Sequence, residues 1–293
     1  MTIGFEILHY QTSDDTIACV ESIKSNVAAP VIVIVDNASP NGSGRILSEY
    51  FKNESNVHVI LLNENVGFAR GNNTGYKFIR DNYNCEFICC INNDTELICK
   101  DFEEKLRKLY SKDEFAVMAP KVLLKDGSIQ SFNPILHDIS YYEGELETLM
   151  QSEEYSQYLK KKGILTLLIC CFPKFMGIVR KVKQKLKPPY RNLMRNVVLH
   201  GCFLVFSNTF ITLFEEPFDP RTFMFREEEL LYIKVRRKGL LTVYSENICV
   251  KHKEDAATDS VYKKREDKYQ FMRKNQIKSI KILIEELRIE RNE

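Results

Sequence analysis

The run Val31-Ile32-Val33-Ile34-Val35 stops at Asp36. Five β-branched residues with no polar alternation predict a strand covered on both faces, as in the middle of a parallel sheet. The same pattern recurs at Phe87 to Ile91, which gives way at once to Asn92-Asn93-Asp94. Ile3 to Tyr10 and Val57 to Leu62 predict two more strands, and helical spacing lies between them, with Ile17, Val20 and Ile23 in one segment and Ile46, Leu47 and Tyr50 in the next. Alternating strands and helices predict a doubly wound α/β fold with a mostly parallel sheet. Right-handed crossovers then put Asp36 and Asp94 on one rim of that sheet.

Ligands of open α/β sheets sit beyond the carboxyl ends of the strands. Asn and Asp are also ordinary turn residues, so either acid alone could simply close a strand. The convergence of two acids with the Gly/Asn-rich loop Asn65-Val66-Gly67-Phe68-Ala69-Arg70-Gly71-Asn72-Asn73 favours a ligand. That loop is neither a Gly-x-Gly-x-x-Gly fingerprint nor a P-loop. Its backbone N–H groups and Arg70 are suited to phosphate oxygens. A carboxylate at a strand end suits Mg²⁺ or Mn²⁺, which take hard oxygen ligands together with phosphate.

Beyond residue 100, Asp101 to Tyr110 predicts a helix, and Phe115–Ala119 and Val122–Leu124 predict strands before an Asp126-Gly127 turn. Gly201 to Phe206 predicts another strand, as do Leu240–Tyr244 and Ile248–Val250. Glu227, Glu228 and Glu229 precede a helical pattern. Acids there complement the helix dipole, and one facing a cleft can serve as a general base. His252 follows the last strand and could give a nitrogen to a metal. Tyr262 to Glu293 predicts a charged helix whose stripe is Ile277, Ile280, Ile284 and Leu287.

Composition narrows the setting. Nine cysteines without a Cys-x-x-Cys pair predict reduced, mostly buried thiols and a cytoplasmic protein. The amino terminus lacks the basic start and apolar run of a signal peptide. Between Tyr155 and Phe214 there is no acid, while eleven Lys and Arg residues lie inside that interval. The apolar run Gly163–Phe172 is shorter than the about 20 residues of a spanning helix. Residues 160–195 are therefore expected to dock peripherally on the inner face of a membrane. Leu165, Leu167, Leu168 and Ile169 could alternatively be core or a homodimer contact. A net charge of +2 and the lack of a recognisable motif speak against nucleic acid.

Taken in order, these segments resemble family 2 glycosyltransferases of the GT-A fold, and within them the bacterial rhamnosyltransferase-like enzymes that build surface polysaccharides. The resemblance is carried by Val35-Asp36-Asn37-Ala38-Ser39, Asn65 to Asn73, Asn92-Asn93-Asp94-Thr95, Gly201-Cys202-Phe203-Leu204, Phe218-Asp219, Phe223-Met224-Phe225 with Glu227-Glu228, and His252. It implies a catalytic domain over residues 1–255, with a nucleotide-sugar half to about residue 100, an acceptor half holding a basic insertion at about 134–198, and a helical extension over 256–293. It implies that His9, Tyr10, Asp36, Asn37, Asn65, Gly67, Arg70, Asn73, Asn92, Asn93 and Asp94 bind a UDP- or dTDP-sugar. Asp94 and His252 hold Mn²⁺ or Mg²⁺ in this reading. Asn92 occupies the first place of the family's Asp-x-Asp motif, so Asp94 carries most of that binding. The family's Glu-Asp pair stands as Glu227-Glu228, which makes Glu228 the first candidate for the base and Glu227 the second. The implied reaction is one inverting displacement onto a growing, lipid-linked saccharide. A nucleotidyltransferase is a rival, but it would begin with a basic Gly-rich loop where this chain has His9-Tyr10-Gln11-Thr12. A non-catalytic scaffold that has kept the sheet is another.

Overall fold

A computed structural model of the protein describes residues 2–162, 192–253 and 265–292. The first half alternates strictly: β1 (Thr2–His9), α1 (Ser13–Asn26), β2 (Val31–Asp36), α2 (Ser43–Tyr50), β3 (Val57–Leu61), α3 (Gly67–Asn82) and β4 (Cys85–Asn92). Next come β5 (Thr95–Leu97), α4 (Phe102–Asp113), β6 (Val117–Leu123), α5 (Ile139–Lys162), β7 (Leu193–Arg195) and β8 (Phe203–Ser207). Helices α6 (Asn208–Leu213) and α7 (Glu227–Arg236), strand β9 (Thr242–His252) and helix α8 (Arg265–Asn292) complete the chain.

The strands form one sheet in the order β3-β2-β1-β4-β8-β6-β9-β5, with β7 also paired to β9. Strands β3, β2, β1 and β4 are parallel. Strand β8 runs antiparallel between β4 and β6, and β9 is parallel to β6. This is the mostly parallel, helix-flanked sheet that the sequence predicts. All six residues of β2 are buried, which is why that strand tolerates no polar alternation. Helix α3 approaches the sheet closely: a Cβ on Gly71 would lie 2.4 Å from Leu8, and one on Gly75 would lie 2.3 Å from Glu6. The glycine spacing of that helix is thus a packing requirement.

The sequence splits the later strands where the fold does not. Strand β6 runs through Val117–Leu123, and β9 through Thr242–His252. Their pairing jumps from Pro120↔Ser245 to Lys121↔Cys249, so β9 bulges at the place where it looks interrupted in sequence. Pro120 has no N–H to donate at that point.

The chain divides into two compact units, one of Met1–Leu136 with Asn192–Glu293, the other of His137–Arg191. The second contains α5; residues 163–191, with most of the basic segment assigned to a membrane, lie outside the described residues. Among the described residues, no helix is long and apolar enough to cross a membrane, and the cysteines are free thiols, nearly all buried. Helix α8 buries Ile280, Ile284 and Leu287 of the expected stripe, together with Leu283, and packs on α7.

Candidate active site

The register pairs His9 with Asp36 and Leu8 with Asn92, so β1, β2 and β4 end level and present their last side chains along one rim. Asp36 is only 6% exposed. Its carboxylate accepts from the Ser39 N–H at 3.2 Å. It also lies against the start of α2, where a Cβ on Gly44 would come within 2.0 Å of it. His9 stands behind it, fully buried, with Nδ1 at 2.7 Å from Thr16 Oγ1 and Nε2 at 2.8 Å from Ser43 Oγ. Burial lowers its pKa to about 4 against the pull of Asp36, so the ring is neutral at pH 7. With both nitrogens engaged, His9 orients its neighbours and offers no face to a ligand. Tyr10 follows it, half-buried. Asn93 joins the same network, since its Nδ2 donates to Thr12 Oγ1 at 2.7 Å and to Thr16 Oγ1 at 3.1 Å.

The Gly/Asn-rich loop is used differently from the expectation. The N–H groups at the start of α3 are satisfied within the protein. Val66 N–H donates to Asn37 Oδ1 at 2.9 Å, Gly67 N–H to Asn65 Oδ1 at 3.0 Å, and Phe68 N–H to the Phe223 carbonyl at 2.6 Å. They are not donors waiting for phosphate. Arg70 Nε donates to the Pro220 carbonyl at 2.8 Å. The Asn73 amide clamps Phe218 at two points, donating to its carbonyl at 2.8 Å and accepting from its N–H at 3.0 Å. Gly67, at φ 85°, has no room for a Cβ, which would fall 2.3 Å from the Phe223 carbonyl. Asn37, Asn65, Gly67, Arg70 and Asn73 together fasten the start of α3 within its own loop and to the segment Phe218–Phe223.

Strand pairing assembles the metal candidates. Thr95 pairs with His252, and the Lys253 N–H donates to the Asp94 carbonyl at 3.0 Å. His252 Nε2 thereby reaches 3.1 Å from Asp94 Oδ1, while its Nδ1 lies 2.9 Å from Gln130 Oε1. An amide oxygen only accepts, so Nδ1 donates to Gln130 and Nε2 is the nitrogen that faces the carboxylate. Such a pair needs a proton or a cation between its members. The two atoms are close enough that one small divalent cation could meet both. Among the described residues no group of three or more His, Cys, Asp or Glu side chains gathers around a metal position. Two protein ligands suffice for Mg²⁺ or Mn²⁺ when a diphosphate supplies the rest, so the donor set fits. The Asn92 side chain is half-buried and neutral, and its backbone N–H donates to the Cys202 carbonyl at 2.9 Å.

Glu227 and Glu228 begin α7, after two consecutive left-handed residues, Phe225 (φ 75°) and Arg226 (φ 68°). For residues with side chains this conformation costs about 1–2 kcal/mol each. Glu228 Oε1 accepts from the Gly201 N–H at 3.2 Å. Burial, then the charge of Glu229, raises the Glu228 carboxyl to about 7. Burial, then the charge of Glu228, raises Glu227 to about 8, and that side chain is 4% exposed. Glu229 is ion-paired with Arg226 at 2.7 Å. Carboxyls held in this range can accept a proton near neutral pH.

Sequence reasoning missed His200. Its ring lies 6.3 Å from that of His252, and its Nδ1 accepts from the Cys202 N–H at 3.2 Å. The turn His200-Gly201-Cys202 therefore touches the metal candidates through His252, β4 through Asn92 and the acid pair through Glu228. A Cβ on Gly201 would stand 2.9 Å from Glu228 Oε1. Gly201→Ala is expected to displace that carboxyl and lower turnover about tenfold to a hundredfold, since a shift of about 1 Å can cost that much. Turnover equal to the parent's in a steady-state assay would contradict the contact's importance.

Strand ends carrying polar and acidic side chains along one rim of a mostly parallel, helix-flanked sheet define an α/β protein with a ligand site at that rim. The chain belongs to glycosyl transferase family 2, whose sequence model matches residues 7–186. It is similar to the low-salt glycan biosynthesis hexosyltransferase Agl10 of Haloferax volcanii, at 25% identity over 122 residues, which are 41% of this chain and 36% of that protein. Among solved structures it is similar to S. aureus TarS 1-349 in complex with UDP, at 17% identity over 47% of this chain and 40% of that one, with a TM-score of 0.39. The same protein in complex with UDP-GlcNAc matches at 18% identity over 47% of this chain and 39% of that one, again with a TM-score of 0.39. The chain thus spans well under half the length of these relatives.

Proposed function

We propose that this protein is an inverting glycosyltransferase that moves a hexosyl unit from a nucleoside-diphosphate sugar to a hydroxyl of a growing, lipid-linked saccharide. The observation that carries the reading is the His200–Cys202 turn, which binds Glu228 by its Gly201 N–H and neighbours the Asp94–His252 pair through His200. It brings an anion-handling centre and a proton acceptor to one turn of chain.

In this reading Asp36 receives the base or ribose of the donor, held by the Ser39 N–H, with neutral His9 packed behind it. Asp94 and His252 would hold Mn²⁺ or Mg²⁺. A bound divalent cation would neutralise the charge that builds on the departing nucleoside diphosphate. Glu228 takes the proton of the acceptor hydroxyl as its oxygen attacks the anomeric carbon opposite the leaving group. One displacement inverts that carbon and requires no covalent nucleophile.

A hexosyl donor is favoured by the likeness to the Haloferax hexosyltransferase. The narrower rhamnosyl donor rests on the motif resemblance alone, and rhamnose is itself a deoxyhexose. Membrane docking by residues 160–195 rests on their charge pattern. Incubation with a panel of UDP- and dTDP-sugars, with and without Mn²⁺ or Mg²⁺, tests the proposal. One nucleotide-sugar is expected to raise the melting temperature only with metal present, because a ligand of the folded state stabilises it. It should also be hydrolysed slowly to the nucleoside diphosphate. No metal-dependent shift and no hydrolysis with any donor would favour the scaffold reading.

A further inference from the structure

We infer that helix α8 is a positioning clamp for the acid pair, with Ser279 as its central contact. The inference rests on the reading of Glu227 and Glu228 as the proton-accepting pair. The loop it grips, Phe218–Arg226, delivers that pair to α7. One side of this loop is fastened to α3 through Asn73, Arg70 and the Phe68 N–H. Helix α8 takes hold elsewhere along it. Ser279, with no exposed surface, donates its hydroxyl to the Met224 carbonyl at 2.9 Å. Phe271 meets the Phe223 ring edge-on at 5.8 Å. Arg221 bridges Asp219 of the loop to Glu286 of α8, and Arg237 at the end of α7 donates to the same Glu286 carboxylate at 2.6 Å.

The position of the Ser279 contact gives it its consequence. Met224 immediately precedes Phe225 and Arg226, the two residues held in the left-handed region. Side chains persist there only when their surroundings over-determine the backbone. The simplest relaxation is a rotation of the peptide between Met224 and Phe225, and the Met224 carbonyl is part of that peptide. A hydroxyl bonded to this oxygen opposes the rotation, and Glu227 and Glu228 follow within a few residues. The apolar stripe of α8, including Ile280, Leu283 and Leu287, accounts for the helix's share of fold stability. The Ser279 hydroxyl is different in kind, because it acts on loop backbone. Ser279 is thus a positioning residue that works through the acid pair.

The test compares Ser279→Ala with Ser279→Thr, which keeps a hydroxyl, in the full chain. Measured quantities are amide hydrogen exchange over Met224–Glu228, kcat, donor KM and the pH profile. For Ser279→Ala the expected result is faster exchange confined to that loop, a fall in kcat of about tenfold with donor KM within about twofold, and a shifted acidic limb. Ser279→Thr should recover most of kcat. Unchanged exchange and kcat in Ser279→Ala overturns the clamp, as does a loss spread evenly over stability and KM with no change in the pH profile. The underlying reading is checked separately through Glu228→Gln and Glu227→Gln. If both of those turn over normally, the acid-pair reading fails, whereas a slow Glu→Gln variant beside an unaffected Ser279→Ala condemns the clamp alone.

Discussion

Glu228→Gln is expected to slow sugar transfer by about 10²–10⁴-fold while leaving donor affinity unchanged, because general-base catalysis contributes on that order. Glutamine keeps the shape of the side chain and can still accept from the Gly201 N–H through its amide oxygen, so the turn at His200–Cys202 keeps its hydrogen bond. What it loses is the capacity to take a proton. Glu227→Gln separates the two candidates: if Glu228 is the base, this variant retains most turnover. Calorimetry of donor binding beside steady-state kinetics reads both quantities, and near-full turnover in Glu228→Gln sinks the assignment.

The same pair predicts a pH dependence with a definite sign. A base must be unprotonated to act, and burial with neighbouring acid charge raises these carboxyls to about 7 and about 8. Activity should therefore climb as pH rises from about 6 to 8 and then level off. Stability should move the other way. The folded chain keeps protons on these carboxyls at pH values where the unfolded chain, with ordinary carboxyls near 4.5, has released them. The stability they contribute is fully present below about pH 4.5 and is lost as pH rises through the folded values. The melting temperature of the parent is expected to fall across that window more steeply than that of either Gln variant.

The parts of this molecule that were legible in its sequence are those governed by local pattern. Strand β2 announces itself because burial on both faces leaves no polar position, and the ends of β2 and β4 show as abrupt polar stops. The α8 stripe was readable from helical spacing. The bulge between β6 and β9 was not, because it looks like two short strands until the partner's register is known. The Gly/Asn-rich loop was recognisable as important, yet its partners, Phe218, Pro220 and Phe223, lie about 150 residues away, and no spacing rule connects them. His200, Gln130 and Ser279 are single polar residues without a periodic signal. Each gains meaning only from a contact brought about by tertiary folding, such as Gln130 fixing which nitrogen of His252 faces Asp94.

Asp94→Ala is expected to abolish metal-dependent nucleotide binding while the chain still folds. In the proposed reading Asp94 is one of two protein ligands for the cation. Loss of a supporting group around a ligand typically costs about 10–100-fold in metal affinity, so loss of the ligand itself should cost at least that much. Folding should survive for a reason visible in the geometry. The carboxylate's contact at 3.1 Å is with the His252 ring, a side-chain pairing at the end of two strands and not a part of the apolar core. The backbone bond from Lys253 to the Asp94 carbonyl, which holds β9 in register beside β5, does not involve the side chain. His252→Ala should weaken the cation less, because diphosphate oxygens and Asp94 remain. Gln130→Leu should have a smaller effect again, by freeing His252 to turn. The graded order Asp94, His252, Gln130 is the signature of a metal site with its outer support. Calorimetric titration of nucleotide in Mn²⁺, beside the same titration in chelator, measures it. An Asp94→Ala variant whose Mn²⁺-dependent affinity equals the parent's would remove the metal from this turn altogether.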